Sequence, residues 1–304
     1  KTAYEISACL VGSEMCIRDR YIPDRKKEGY GPSIESFKKL IKKGVKVIFT
    51  VDCGTLSFDA INYAKKSNID VMVIDHHQSE VTLPDAFSII NPNRLDDKSN
   101  LQYLCAAGVT FMFLVSLNKY LRLINWFKEK KIQEPNLIEY LDLVSLGTVC
   151  DVVPLIGLNR AIVKQGLKVL KSKKNLGLKT LLDICGINTQ PNVYHMGYVL
   201  GPRINAGGRV GKSSHGANLL LNNNAKEVFK NASELDQFNK ERQYLEEDVL
   251  NKITIEANKT QSDPVLILSG KNWHEGVIGI VAVSYTHLRA HETGRNLVCR
   301  LLLE

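Results

Sequence analysis

Two short runs of β-favouring residues, each ending on an aspartate, constrain this chain more than any other feature. Val45-Lys46-Val47-Ile48-Phe49-Thr50-Val51 leads into Asp52-Cys53-Gly54, and Val71-Met72-Val73-Ile74 leads into Asp75-His76-His77. β-Branched and aromatic residues suit a pleated strand. A helix is predicted over Ile34 to Lys43, with Ser33 as N-cap and Gly44 as the stop, and another over Ser57 to Ser67. Ser88-Ile89-Ile90 predicts a third strand, stopped by Asn91-Pro92. This alternation predicts an α/β fold, a parallel sheet with crossover helices. In such sheets ligands bind beyond the carboxyl ends of the strands. Asp52 and Asp75 both stand there.

The middle of the chain reads as helical: Gly108 to Leu123, Pro135 to Leu146 and Ala161 to Ser172. Glu227 to Ala257 is the longest helical candidate, with Leu235, Phe238, Leu245, Val249 and Ile253 at helical spacing and charged residues between them. Pro264-Val265-Leu266-Ile267-Leu268 then restarts a strand pattern. The expected organisation is a core over 21–225, a connecting helix over 226–259, and the start of a second, smaller α/β domain over 260–282.

The two ends break the pattern. Lys1 to Arg20 sustains neither period, and Val283 to Glu304 follows abruptly on the apolar run Gly276 to Ala282. Both segments resemble translated sequencing-adapter read-through. Residues 1–20 and 283–304 are therefore set aside as foreign. They do not create the basic balance. The net charge is +8; residues 1–20 hold three basic and three acidic residues, and 283–304 three basic and two acidic. A basic chain favours a polyanionic partner, nucleic acid first, although Lys-rich solvated surfaces account for the same number. Seven cysteines with no C-x-x-C pair argue against a disulfide framework or structural zinc, and for reduced thiols in the cytoplasm. No run approaches the length of a membrane span.

Asp75-His76-His77 joins a carboxylate to two imidazoles directly after a strand. That donor set suits manganese, iron or zinc better than calcium. Asp151 adds a carboxylate inside the apolar stretch Val149 to Leu155, where an ionised group needs a partner. A helix-terminal Asp that binds backbone amides is the alternative reading of Asp151. A two-metal site of this kind clamps the attacking and leaving oxygens of an in-line phosphoryl displacement.

Thr50-Val51-Asp52-Cys53-Gly54, Val73-Ile74-Asp75-His76-His77 and Gly147-Thr148-Val149-Cys150-Asp151-Val152-Val153-Pro154 resemble three successive motifs of the DHH phosphoesterase superfamily. Tyr21-Ile22-Pro23-Asp24-Arg25 with Glu28-Gly29-Tyr30-Gly31 is similar to the segment that precedes them in RecJ-type exonucleases. The resemblance covers essentially all of 21–282. It implies a DHH domain followed by a DHHA1 domain, and 5′-to-3′ degradation of single-stranded DNA in repair and recombination. It implies two divalent metal ions, Mn2+ with Mg2+ as the alternative. The implied ligands are Asp52, Asp75, His76, His77 and Asp151, with His76, His77 and Asp151 catalytic. Helicase and single-strand-binding protein are the accessory partners such an enzyme would meet.

Two more motifs carry the substrate side of the resemblance. Gly201-Pro202-Arg203-Ile204-Asn205-Ala206-Gly207-Gly208-Arg209 combines glycines, which let amides approach an oxyanion, with arginines, which bind phosphate through a planar fork. It looks like the RecJ segment that holds substrate phosphates, and implies roles for Arg203, Asn205, Gly207, Gly208 and Arg209 in a Gly-rich turn. Trp273-His274-Glu275-Gly276 through Ala282 resembles the opening of DHHA1, where a Gly-rich turn and His274 contact nucleic acid. A helix-capping or core role is the plainer reading of His274. His195 and His215 match no motif and are read as structural or surface residues.

RecJ-like proteins also carry a D-x-D-x-D-G strand end ahead of the Tyr-Ile-Pro-Asp-Arg segment. Nothing in residues 1–20 matches it. The expectation is therefore that this polypeptide, as written, lacks the upstream metal-binding carboxylates and is inactive or nearly so. Two other classes remain open. One is a DHH enzyme acting on short oligonucleotides or pyrophosphate, which the long Asp151-to-helix interval disfavours. The other is a DHH-derived scaffold that binds DNA without cutting it, which the intact Asp75-His76-His77 and Asp151 disfavour.

Overall fold

The structure is a computed structural model, and it describes residues 20–24, 28–29, 31–210, 213–257, 268–271 and 273–293. The chain divides into two compact units, one ending at Gly201 and the other starting at Pro202.

The first unit opens with α1 (Ile34–Lys42), β1 (Val47–Val51), α2 (Phe58–Lys66), β2 (Asp70–Ile74) and β3 (Ser88–Ile90). Ser33 and Ser36 form a reciprocal capping box at the start of α1, as the Ser33 cap predicted. The strands form one parallel sheet in the order β1-β2-β3. Val51 pairs with Ile74, and Ile74 with Ile90. All three strands therefore end level, and the residues that follow them emerge along one edge. The ladder runs one step further: Asp52 N donates to Ile74 O (3.0 Å) and Asp75 N to Ile90 O (3.0 Å).

The sheet is held by a core of Phe37, Ile48, Ile61, Ala64, Val71 and Val73. In β1 only Ile48 and Thr50 turn inward, while Val47, Phe49 and Val51 stay exposed. The helix α2 buries Ala60, Ile61 and Ala64, spaced to place them on one face.

The helical part of the unit contains α3 (Ala106–Leu123), α4 (Trp126–Glu129), a 3-10 turn (Leu137–Tyr140), α5 (Leu141–Cys150), α6 (Gly157–Lys171), α7 (Leu176–Ile184) and a π-helical turn (His195–Leu200). The segment expected as one helix from Pro135 to Leu146 is instead this 3-10 turn followed by α5, which runs on to Cys150. The Asn136 side chain accepts from Ile138 N and fixes the turn. Gly147 lets α5 continue against α3: a Cβ there would lie 2.8 Å from Ala107 Cβ. Helices α5 and α6 meet at backbone distance, because a Cβ on Gly166 would fall 1.7 Å from Ser145 Oγ and 2.2 Å from Leu141 O.

The second unit holds α9 (His215–Leu221), α10 (Ala225–Ala257) and α11 (Glu275–Thr293), with nearly all of α8 (Gly201–Arg209). The Gly-rich string 201–209, expected as a turn, is helix throughout; Ala206 and Gly207 are buried in it. Gly276 and Gly279 likewise lie inside α11. In both strings tertiary packing overrides the weak helix propensity of glycine. A cluster of Val249, Ile253, Ala257, Val277, Val281 and Tyr285 joins α10 to α11. The helix α11 runs through Val283, the first residue of the segment set aside as foreign. Residues 264–267 of the expected strand lie outside the described residues. Among the described residues, no helix is long and apolar enough to cross a membrane.

Candidate metal centre

The site is built where the sheet ends. Asp52 follows β1 in the left-handed region (φ 63°), a conformation that costs an aspartate less than most residues. Gly54 completes the turn at φ 117°, and a Cβ there would strike Thr50 Oγ1 at 2.6 Å. Glycine is therefore required two residues after Asp52.

Asp75 is 1% exposed. Its Oδ1 accepts from His76 N (2.8 Å) and lies 2.7 Å from His77 Nδ1, and its Oδ2 accepts from Thr55 N (3.0 Å). Burial alone would raise its pKa, but the hydrogen bonds from His77, Thr55 and His76 outweigh that and hold the carboxyl down at about 2. The partner effect on His77 runs the other way: the bond to Asp75 raises its pKa. With Nδ1 donating to a carboxylate, the Nε2 lone pair of neutral His77 is left to bind a cation.

His76 Nε2 lies 3.2 Å from Asp52 Oδ1 and 3.4 Å from Asp151 Oδ2. Asp151 follows the C-terminus of α5, and the next residue, Val152, is left-handed (φ 56°), which strains a β-branched residue. Asp52 is 61% exposed at its side chain. It is nonetheless sheltered enough on its inner side for burial to raise its pKa, with His76 opposing the rise and Asp151 adding to it.

One ligand atom each from Asp52, His76 and His77 falls within a set no wider than 4.8 Å. Asp151 borders that set through His76. Asp75 is outside it, and its oxygens hydrogen-bond within the turn that carries both histidines. Two carboxylates converging on one imidazole nitrogen are a donor set that a divalent cation fits.

The substrate motifs meet each other in the second unit. Arg209 Nη1 donates to Gly276 O (2.7 Å), and Gly276 N donates to His274 Nδ1 (3.2 Å). His274 thus caps the start of α11, the plainer of its two readings, while standing next to Arg209. Arg203 Nε donates to Asp236 Oδ1 (2.8 Å), and Asp236 also pairs with Lys240 (2.8 Å). Asn205 and Gly208 lie on α8 with them. A Cβ on Gly208 would meet no heavy atom within 4 Å, so packing does not demand that glycine. His215 pairs with Glu234 (3.0 Å) and packs edge-on against Phe238, as a structural histidine should.

The family model described as "DHH family, N-terminal domain" matches residues 6–148. The chain is 40% identical over 268 residues to the single-stranded-DNA-specific exonuclease RecJ of Salmonella typhimurium, covering 86% of this chain and 46% of that protein. It is 38% identical over 271 residues to RecJ of Escherichia coli, covering 87% and 47%. The crystal structure of exonuclease RecJ bound to manganese superposes with a TM-score of 0.75 at 31% identity, over 88% of this chain and 65% of that one. The chain is a RecJ homologue of the DHH family. Thermus thermophilus RecJ in complex with Mn2+ superposes with a TM-score of 0.71 at 30% identity, over 84% of this chain and 37% of that one. The RecJ homologue thus spans about half the length of the curated relatives it matches.

Sequence reasoning missed three residues of the RecJ homologue's site. Asn91, 3% exposed, donates to Thr55 Oγ1 (2.9 Å) and to His77 O (2.9 Å). Asn93 donates through Nδ2 to His76 O. With Thr55 they brace the His76-His77 backbone. The available signal was positional: Asn91 follows β3 as Asp52 and Asp75 follow β1 and β2.

Proposed function

We propose that this chain is the catalytic portion of a divalent-metal-dependent exonuclease that hydrolyses single-stranded DNA from the 5′ end. The observation that carries the reading is the convergence of Asp52, His76, His77 and Asp151 at the level ends of the sheet in a RecJ homologue. Asp52, His76, His77 and Asp151 would hold the cations, Mn2+ first and Mg2+ second. When bound, divalent ions supply charge neutralisation and a more acidic water for phosphodiester hydrolysis.

The chain's own residues then divide the remaining tasks. Asp75 fixes the proton on His77 Nδ1 and orients that ring. Thr55, Asn91 and Asn93 hold the backbone of the two histidines. On α8, Arg203 and Arg209 bring positive charge to the substrate phosphates, Asn205 adds a hydrogen-bonding group, Gly208 keeps the helix surface low, and buried Gly207 serves the helix packing beneath it. His274 stands beside Arg209 on the same side of the task. In this reading 21–225 is the DHH core, 226–259 the connecting helix and 260–282 the opening of DHHA1. The enzyme works in the cytoplasm, on strands that a helicase or single-strand-binding protein presents.

The test replaces residues 1–20 with the aligned segment of the Salmonella typhimurium relative. Mn2+-dependent release of mononucleotides from 5′-labelled single strands is expected, with duplexes, dinucleotides and pyrophosphate spared and the 304-residue chain itself far weaker. Equal cleavage of duplex or dinucleotide would reject the single-strand exonuclease reading. Unchanged activity after Asp75→Ala would reject the site.

A further inference from the structure

The π-helical turn His195–Leu200 carries a feature that hydrolysis at the metal centre does not explain. Tyr194 and Tyr198 stack on each other, with ring centroids 5.1 Å apart and planes 23° from parallel. They are nevertheless 62% and 72% exposed. An aromatic pair usually earns its place by burying area in a core. Here the burial is done by Met196 and Leu200, both fully buried on the same turn, and the two rings are left facing solvent.

The turn is a rigid mount. Asn192 N donates to His195 Nδ1 and His195 N to Asn192 Oδ1, each at 3.1 Å, which pins its start. Its far side lies directly on the end of α5. Cys150 Sγ donates to Met196 O (3.6 Å), and a Cβ on Gly197 would lie 3.2 Å from Val149 Cγ1. Val149 and Cys150 immediately precede Asp151. Tyr198 therefore follows, one residue on, the glycine that touches the Asp151 helix. π-Turns of this kind are frequent at functional sites.

We propose that Tyr194 and Tyr198 form a base-stacking platform that receives the bases of a single strand on the turn that packs against the end of α5. This deepens the proposed function and rests on it. Exposed aromatic rings bind bases without regard to sequence, because every base has a π face. That tolerance is what an exonuclease moving along a strand requires. The occupant is nucleic acid rather than protein on two grounds. The rings are flat and exposed, as stacking on a base requires, and the chain carries a net charge of +8 that favours a polyanion. Two already stacked, rotamer-limited rings also lose little entropy on binding.

The test uses the 304-residue chain without added divalent metal, so that strands are bound and not cut. Fluorescence anisotropy would compare a labelled oligothymidylate, an abasic strand of the same length and a duplex. The expected result is single-strand binding that weakens roughly tenfold for Tyr194→Ala or Tyr198→Ala and is retained by Tyr→Trp. Binding of the abasic strand should be unaffected by either alanine. Thermal melting controls for folding, and an unchanged salt slope shows that phosphate contacts persist. If the wild-type chain prefers the single strand and the alanine variants bind it equally well, the platform is overturned while the nuclease reading stands. If the alanine variants lose the abasic strand as strongly as the thymidylate, the rings are not stacking on bases and the platform is again overturned. If no form prefers single strands over duplex, the nuclease reading falls and takes the platform with it.

Discussion

His76 Nε2 lies 3.4 Å from Asp151 Oδ2, which ties the end of the parallel sheet to the end of α5. Asp52 Oδ1 reaches the same nitrogen at 3.2 Å. A divalent cation placed among these three groups would satisfy all of them.

Asp151→Asn should therefore weaken Mn2+ binding. Removing an anionic ligand costs at least the roughly 10- to 100-fold seen when a supporting residue is lost. Isothermal titration of the purified chain with Mn2+ measures this, and an unchanged Kd would remove Asp151 from the centre. His76→Ala should cost as much.

Asp75→Asn tests orientation rather than ligation. The substitution leaves His77 Nδ1 facing an amide and deprives buried Thr55 and His76 N–H groups of a charged acceptor. Unfolding free energy should fall by about 1–3 kcal/mol, with a concurrent roughly 10- to 100-fold loss of metal affinity. Chemical denaturation and Mn2+ titration on the same sample separate the two effects. A stability loss with intact metal binding would leave Asp75 a purely structural residue.

Acid lability follows from two depressed carboxylates. Asp75 is held at about 2 against an ordinary 3.8. Glu28 is held at about 2 against 4.5, first by the Lys39 ammonium and then by the Tyr21 hydroxyl. A carboxyl whose folded pKa lies below its unfolded one stabilises the fold above the unfolded value, and that contribution fades as pH falls through the folded value. Stability from both groups should thus be whole above pH ~4.5 and decline towards pH ~2. In melting curves across that window, Asp75→Asn and Glu28→Gln should each flatten the slope, and parallel wild-type and variant slopes would contradict the assignment.

Two glycines in helices make opposite predictions. Gly166→Ala drives a methyl into Ser145 and the Leu141 carbonyl, and overpacking of this sort costs about 1–3 kcal/mol or more. Gly208→Ala meets nothing within 4 Å and should stabilise helix α8 by about 0.5–1 kcal/mol. Its binding of single-stranded DNA should nonetheless weaken, because the methyl occupies the surface assigned to substrate. Denaturant midpoints and strand-binding titrations check both. Tighter DNA binding by Gly208→Ala would remove that glycine from the substrate surface.

Features whose cause is local were legible in the sequence. The runs ending at Val51 and Ile74 form β1 and β2, and Ser88-Ile89-Ile90 forms β3, because β-branched residues favour the pleat and Gly54 and Pro92 mark the turns after β1 and β3. The Ser33 cap and the long helix to Ala257 likewise rest on side chains within a few residues of one another. The string Gly201 to Arg209 reads as a turn for the same reason, although it folds as helix: glycine's local preference is all that a sequence displays. Its helical form goes with close packing at particular residues. A Cβ on Gly201, for example, would lie 2.4 Å from Cys150 Sγ.

The sequence by itself determined which groups stand at the strand ends, Asp52 and Asp75-His76-His77, and that their chemistry suits a divalent cation. Only the tertiary structure decided how they divide. The parallel register brings the strand ends level, so that Asp52, His76 and His77 converge. Burial commits both oxygens of Asp75 to the turn instead. The close approach of α5 to α3 and α6 carries Asp151 to His76 from a distant part of the chain. Arg209 and His274 meet at Gly276 through the packing of α8 against α11, a contact that no spacing along the chain encodes. Distance in space depends on how helices pack across the sheet, and that packing is a property of the whole core.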